Sequence, residues 1–130
     1  MYEQDYIMRM IHEMVRAIIK LLFGIDTDAP TTELAERLET ENDKKQMDDL
    51  MKKIDDGKIN EAENMLDEML SREEGMEGLK KALLFYSYLN EKSDKFLEEH
   101  HFTREEVQEG VEALAEQRGL REVIEMFMQN

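Results

Sequence analysis

The chain is predicted to fold as all-α, a long N-terminal helix packed on antiparallel helical hairpins, and three observations carry that prediction. Apolar residues recur at intervals of three and four almost throughout the 130 residues, the spacing that lines one face of a helix. Only one proline and six glycines interrupt the chain, so long helices are permitted. Leu, Met, Glu, Lys and Ala dominate while Val and Thr are scarce, a composition that favours helix over sheet. No stretch alternates in the manner of a strand. A chain of this length is one domain by size and buries a core without disulfides or metal.

The first helix is expected from Tyr2 to Phe23, stopping at Gly24, a residue suited to the left-handed backbone that closes helices. The connector Ile25 to Pro30 follows, and Pro30 with Thr31 and Thr32 suits a helix start carrying Leu34, Ala35 and Leu38. Residues 39–46 hold no apolar side chain and read as a loop or a fully solvated turn of helix. Residues 1–24, 25–46 and 47–130 therefore divide a single domain into long helix, connector with a short helix, and body.

In the body, Met47, Leu50, Met51 and Ile54 mark a helix that ends at residues 55–57. Ile59, Ala62, Met65, Leu66 and Met69 mark the next, with Asn60 as its N-cap and Glu63 three residues on. Leu79, Ala82, Leu83, Tyr86 and Leu89 give a longer helix, and a polar break at residues 90–93 precedes a short one with Phe96 and Leu97. Thr103 and Glu106 form a capping box for a helix bearing Val107, Val111, Leu114 and Ala115. Gly119 ends it, and Leu120, Val123, Ile124 and Phe127 form the apolar stripe of a last amphipathic helix.

The formal charge is −15. Nucleic acid needs a basic stripe to neutralise its phosphates, none is present, and no nucleic-acid partner is expected. Without cysteine there is no disulfide framework and no thiolate metal site; a cytoplasmic home fits. Glu3 and Asp5 stand where a signal peptide carries basic residues, and Arg9, Glu13, Arg16 and Lys20 interrupt the first helix too often for a membrane span.

Gly57, Ala62 and Leu66, within the stretch Leu50 to Leu70, resemble a tetratricopeptide-type helical hairpin. Glycine permits the tight turn, alanine lets the backbones approach, and leucine locks the pair. A shift by that family's period of about 34 residues sets Leu50, Met51 and Ile54 over Leu84, Phe85 and Tyr88. Gly57 and Ala62, however, fall on Glu91 and Phe96, so the second unit departs from the small-residue pattern. The opening Tyr2-Glu3-Gln4-Asp5-Tyr6-Ile7-Met8-Arg9-Met10-Ile11 and the overall plan are similar to a small bacterial family of unknown function. That resemblance spans nearly the whole chain and implies no activity.

The first helix is the most informative segment. With Asp5, Arg9, His12, Glu13, Arg16 and Lys20 on one side, its polar arc is about 100° wide, and the apolar residues cover roughly 200° of the remainder. A helix packed on one core needs a stripe of about 100°. The helix is therefore either enclosed by its own fold or shows one flank to a partner. Ile7, Ile11, Met14, Ile18 and Leu21 fit an a/d-type seam, from which we expect pairing with a second copy. The expected function is a non-enzymatic protein-binding module that forms a homodimer through this helix. The alternative is a peripheral membrane protein, with Arg9, Arg16 and Lys20 at a lipid interface. Asp5 and Glu13 on the same face, and the acidic body, weigh against it. A groove between the hairpins, lined by Tyr86 and Tyr88, is expected to take a basic peptide. The eleven methionines are expected to fill core gaps.

No catalytic or cofactor constellation stands out. Counting back from Glu63 as the twelfth position of a calcium loop puts Lys52 and Ile54 where oxygen ligands belong. His12-Glu13 opens like a zinc-protease motif, but Arg16 occupies the place of its second histidine. Glu98, Glu99, His100 and His101 are the best metal candidates and form the less favoured third reading, a metal-binding helical protein. Di-iron bundles need two Glu-x-x-His pairs, and one is present; a solvated helix end explains the same residues. Ser71, Ser87 and Ser93 lie at no motif spacing from a histidine, and no two glycines are close enough to cradle a phosphate. No catalytic, cofactor or metal residue is assigned.

Overall fold

The computed structural model describes the backbone of residues 2–26, 28–73 and 75–128, and their side chains except those of residues 2–4, 22, 23, 124, 127 and 128. The helices are α1 (Tyr2–Phe23), α2 (Thr31–Ala35), α3 (Glu41–Asp55), α4 (Ile59–Arg72), α5 (Met76–Asn90), α6 (Asp94–Glu99), α7 (Arg104–Gln117) and α8 (Arg121–Met128). No strand occurs among the described residues, so the fold is all-α as expected. The side chains of Leu22, Ile124 and Phe127, assigned to apolar faces, and the connector residues Thr27 and Glu74 lie outside the described residues.

Most boundaries follow local chemistry. Thr103 and Glu106 make the expected reciprocal capping box at the start of α7, and Ser93 caps α6 by accepting from the Phe96 N–H at 3.0 Å. Two boundaries differ from expectation. Ile59, not Asn60, opens α4, so Asn60 sits inside its first turn and Lys58 precedes it without a side-chain cap. Residues 41–46 are helical, the second of the two forms expected for them, so α3 begins before Met47, but the turn is not fully solvated because Asp43 is buried. Thr40 accepts from the Asp43 N–H at 3.0 Å and caps α3, and Glu41 and Asp43 suit the positive end of the helix dipole. The segment lacks an apolar face because its inward residue, Asp43, is buried as one half of an ion pair.

The α3–α4 hairpin is present, with Ala62 and Leu66 buried where the helices meet. Gly57 closes α3 at φ +80, and the Lys58 N–H donates to Lys53 O at 2.9 Å, a left-handed closure natural to glycine. A stack of such hairpins would give each unit only its neighbours. Instead α5 packs on α1, α2, α3, α4 and α7 and is buried nearly all round, including Leu79, Ala82, Leu83, Leu84, Phe85 and Leu89. It is the central helix. The six-residue α6 is too short to pair with it as a hairpin arm, and α7 packs there instead.

Polar side chains pin α5 to every neighbour. Lys81, 1% exposed, donates to Asp43 Oδ1 at 2.8 Å and Gln46 Oε1 at 2.6 Å on α3, and to Glu73 Oε2 at 3.1 Å after α4. Ser87 Oγ lies 2.8 Å from Thr31 Oγ1 on α2, and Asn90 donates to Met8 O on α1 at 2.9 Å. Tyr86 donates to Glu63 on α4 at 3.2 Å. The buried Arg104 of α7 donates to Asn90 O at 2.6 Å and to Asp94 Oδ1 at 2.6 Å. Burial alone would lower the Lys81 pKa, but its hydrogen bonds to Asp43 and Glu73 hold it above the ordinary value. Lys81 is therefore a charged ammonium inside the fold.

Candidate functional site

The expected pairing seam is not a surface. Ile11, Met14 and Ile18 are 0% exposed within the chain's own core, with Val15 and Ile19 beside them. Ile7 is half-buried, and of the five seam residues only Leu21, 62% exposed, faces outward. The cause is the number of neighbours: α5, α7 and α8 all pack on α1, and together they cover an arc wider than one contact needs. The same burial counts against a lipid anchor, because the apolar face that would enter a bilayer is already spent on the core. No helix among the described residues is long and apolar enough to cross a membrane.

Tyr86 and Tyr88 do not share a groove. They sit two residues apart on α5, about 200° round the helix, and face different elements. Tyr86 is buried against Gly110 of α7, where an added methyl would strike its ring, and bonds Glu63. Tyr88 donates to Asp55 Oδ1 at 2.7 Å, with Lys92 Nζ 4.7 Å from its ring centroid. Burial first, and then the neighbouring carboxylates, push both phenols well above their ordinary pKa. Burial also raises the Glu63 carboxyl, outweighing the Tyr86 hydrogen bond that favours its charged form. Burial would likewise raise Asp55, but the bonds from Lys92 and Tyr88 hold it low.

Of the metal candidates, Glu98, Glu99 and His101 are exposed, while His100 is committed to packing. Its ring fills the space over Gly57 and lies 4.4 Å from the Phe96 ring, with Nδ1 2.7 Å from Phe96 O. Among the described residues no group of three His, Cys, Asp or Glu side chains is placed to hold a metal. His12 lies 3.7 Å from Asp28 of the connector.

The site the fold does create is a cleft where the end of α1, the connector, α2 and the start of α5 meet. Its apolar half is a small depression of about 40 Å³ lined by Ile19, Ile25, Leu34, Leu38, Lys80 and Leu84. A second hollow shares Ile25 and Lys80 and continues past Glu39, Glu73, Gly75, Met76 and Glu77. Leu34 of the five-residue α2 and Leu84 of α5 both line the apolar half. Lys80 is held on the lip, 3.0 Å from Glu77 Oε1 and 3.9 Å from Glu39 Oε1. Met76 is 48% exposed. The arrangement has an apolar floor, a flexible apolar lip and more carboxylates than cations around it. None of these lining residues was singled out as a site from the sequence; the one available signal was Ile25, an apolar side chain in an otherwise polar connector.

A protein-family model described as a family of unknown function (DUF6483) matches residues 1–119, a span that takes in α1 to α7. No curated protein and no solved structure matches the chain.

Proposed function

The chain belongs to the DUF6483 family of unknown function, and we propose that it is a non-enzymatic protein-binding module, cytoplasmic in its setting. The cleft of Ile19, Ile25, Leu34, Leu38 and Leu84 is its recognition surface. The carrying observation is a shallow apolar depression, its floor of Ile19, Leu34, Leu38 and Leu84 nearly buried and its edge the half-buried Ile25, that adjoins a hollow bordered by Glu39, Glu73 and Glu77. An apolar hollow rimmed by polar residues is the usual form of a side-chain-accepting surface. Carboxylates at the rim select a partner with Lys or Arg next to its apolar anchor, and a chain at −15 steers such a partner inward. Recognition thus moves from the seam of α1 to the cleft at its end. Two copies, each strongly acidic, repel one another there, so the favoured occupant is a basic, apolar segment of a different protein.

A photocrosslinking residue in place of Met76 tests this in native cells. Protein adducts are expected, and they should disappear when Leu34→Trp fills the apolar floor in the same chain. Adducts that persist with the floor filled, or none in a chain that folds, would overturn the assignment.

A further inference from the structure

Among the described residues the two fully buried cations are provided with acceptors. Lys81 donates to three side-chain oxygens. Both Nη atoms of Arg104 find carbonyl or carboxylate oxygens, leaving only its Nε unmet. Arg16 on α1 differs. It is half-buried, its Nε and Nη1 are closed off from solvent, and neither has a hydrogen-bond partner. No carboxylate among the described residues pairs with it, although Glu13 stands three residues before it on the same side of α1. A charged donor left dry and unmet is costly, and such a group calls for a water or an ion.

The surroundings of Arg16 favour an ion. His12 and Lys20 lie one helical turn to either side, each about 40° round the helix. His12 Nε2 is 3.7 Å from Asp28 Oδ1 and Lys20 Nζ is 3.2 Å from Asp26 Oδ2, so the connector runs back along α1 and passes Arg16. Arg9, seven residues before Arg16, belongs to the same stripe. Between Arg9 and Lys20 the one carboxylate is Glu13, in a chain whose total charge is −15.

We infer that Arg16, His12 and Lys20 form a site for a small tetrahedral oxyanion of the phosphate class, with the connector as its cover. A guanidinium is all donor and matches the geometry of phosphate. Carboxylates are at hand in Glu13, Asp26 and Asp28, yet none is bonded to Arg16. A free tetrahedral ion presents oxygens to all three side chains at once. His12 and Lys20 are about 12 Å apart along the axis, a gap that their side chains and that of Arg16 close around one ion. The connector's aspartates are 95% and 79% exposed, and exposed pairs contribute little. Lys20 and His12 therefore exchange them for the ion at small cost as the connector lifts from Arg16. The acidic remainder of the chain opposes an anion at long range, but salt screens that field over about 8–10 Å, whereas charge-assisted hydrogen bonds act at contact. None of the three residues lines the cleft, so this site goes beyond the proposed recognition surface and either can fail alone.

The test follows the full, isotopically labelled chain by the Arg16 Nε–H resonance and by thermal melting. Inorganic phosphate is titrated against chloride and acetate at matched ionic strength. Phosphate should move the resonance saturably and raise Tm, by about 10 °C once it stands about 100-fold above its dissociation constant. Chloride and acetate should do neither. Glycerol phosphate distinguishes the source of the ion: tighter binding than inorganic phosphate assigns the site to a phosphomonoester, equal or weaker binding to the free ion. Arg16→Met keeps the apolar stem and removes the guanidinium, so the response to phosphate should vanish. Lys20→Gln, at an exposed position, should weaken phosphate binding at least about ten-fold, and it decides the matter if Arg16→Met does not fold. No saturable movement in the parent, an equal response to acetate, or undiminished binding in either variant overturns the inference.

Discussion

Replacing Lys81 by methionine removes one charge from the centre of the fold and keeps most of the stem's volume. The ammonium is 1% exposed and donates to Asp43, Gln46 and Glu73. Asp43 is itself buried, so its carboxylate is left without its cation. Breaking a buried pair from one side costs about 3–5 kcal/mol. Two features place the expected loss at the low end. Glu73 is partly exposed and regains water, and Asp43 sits in the first turn of α3, where the dipole offsets about 0.3–1 kcal/mol. Lys81→Met should therefore cost about 3 kcal/mol, on the order of a 10 °C drop in Tm for a chain of this size. Adding Asp43→Leu removes the stranded charge and should recover more than half of that. Urea denaturation of the four-member cycle, followed by circular dichroism, measures both quantities. A single variant within about 1 kcal/mol of the parent, as expected for an exposed pair, or a double variant no better than the single, would refute the reasoning. The pH dependence has a defined sign. Burial would raise Asp43, but the Lys81 bond holds it below its ordinary 3.8. The unfolded chain then binds the proton more readily. The stabilisation is complete above about that value and is lost as the pH falls through the lower folded one. For Lys81 the shift is upward from 10.5, so its part is lost as the pH rises through the folded value.

Two further expectations concern the α3–α4 hairpin. Gly57→Ala should destabilise by about 2–4 kcal/mol, combining left-handed strain with overpacking against the His100 ring; in a His100→Ala background, denaturant titration should show only the strain, about 1 kcal/mol. Glu63→Gln should stabilise the fold slightly at neutral pH. Burial raises the Glu63 pKa and Asp67 and Glu106 repel its charge, while the amide oxygen can still accept from Tyr86. Because the folded value lies above the unfolded one, the penalty on the parent exists only at higher pH, and melts should show the gain vanishing as the pH falls through it.

What was legible in the sequence was local. Thr103 and Glu106 announced their capping box, and Gly24, Gly57 and Gly119 their helix ends, because a cap needs only residues a few positions apart. The start of α3 was not legible, since Asp43 reads as solvated until Lys81, 38 residues on, is placed against it. The breadth of the apolar arc on α1 was visible, but its meaning depended on how many of the chain's own helices lay against it. The centrality of α5 was masked by Lys81, Ser87 and Asn90, polar residues that normally mark a wet face and here are buried with partners. The cleft draws its lining from Ile19 to Leu84 across four segments, and no periodic pattern within one segment encodes it.

Those buried polar residues connect stability to the proposed recognition surface. Leu, Ala and Phe side chains fit a neighbouring helix in several registers at similar energy, whereas a hydrogen-bonded lysine fits in one. On α5, Lys80 and Lys81 are adjacent and about 100° apart. One is locked in the core to Asp43, and the other stands on the cleft lip beside Glu39 and Glu77. Leu84, four residues beyond Lys80, falls on the same side and forms part of the floor. A slip of α5 by one residue would carry Lys80 toward the core and turn Leu84 away from Ile19 and Leu34. The apolar floor and its acidic lip therefore depend on the same register that Lys81 fixes. In the Lys81→Met variant the cleft should lose definition before the helices themselves are lost, and the crosslink at Met76 should weaken while the helical signal persists.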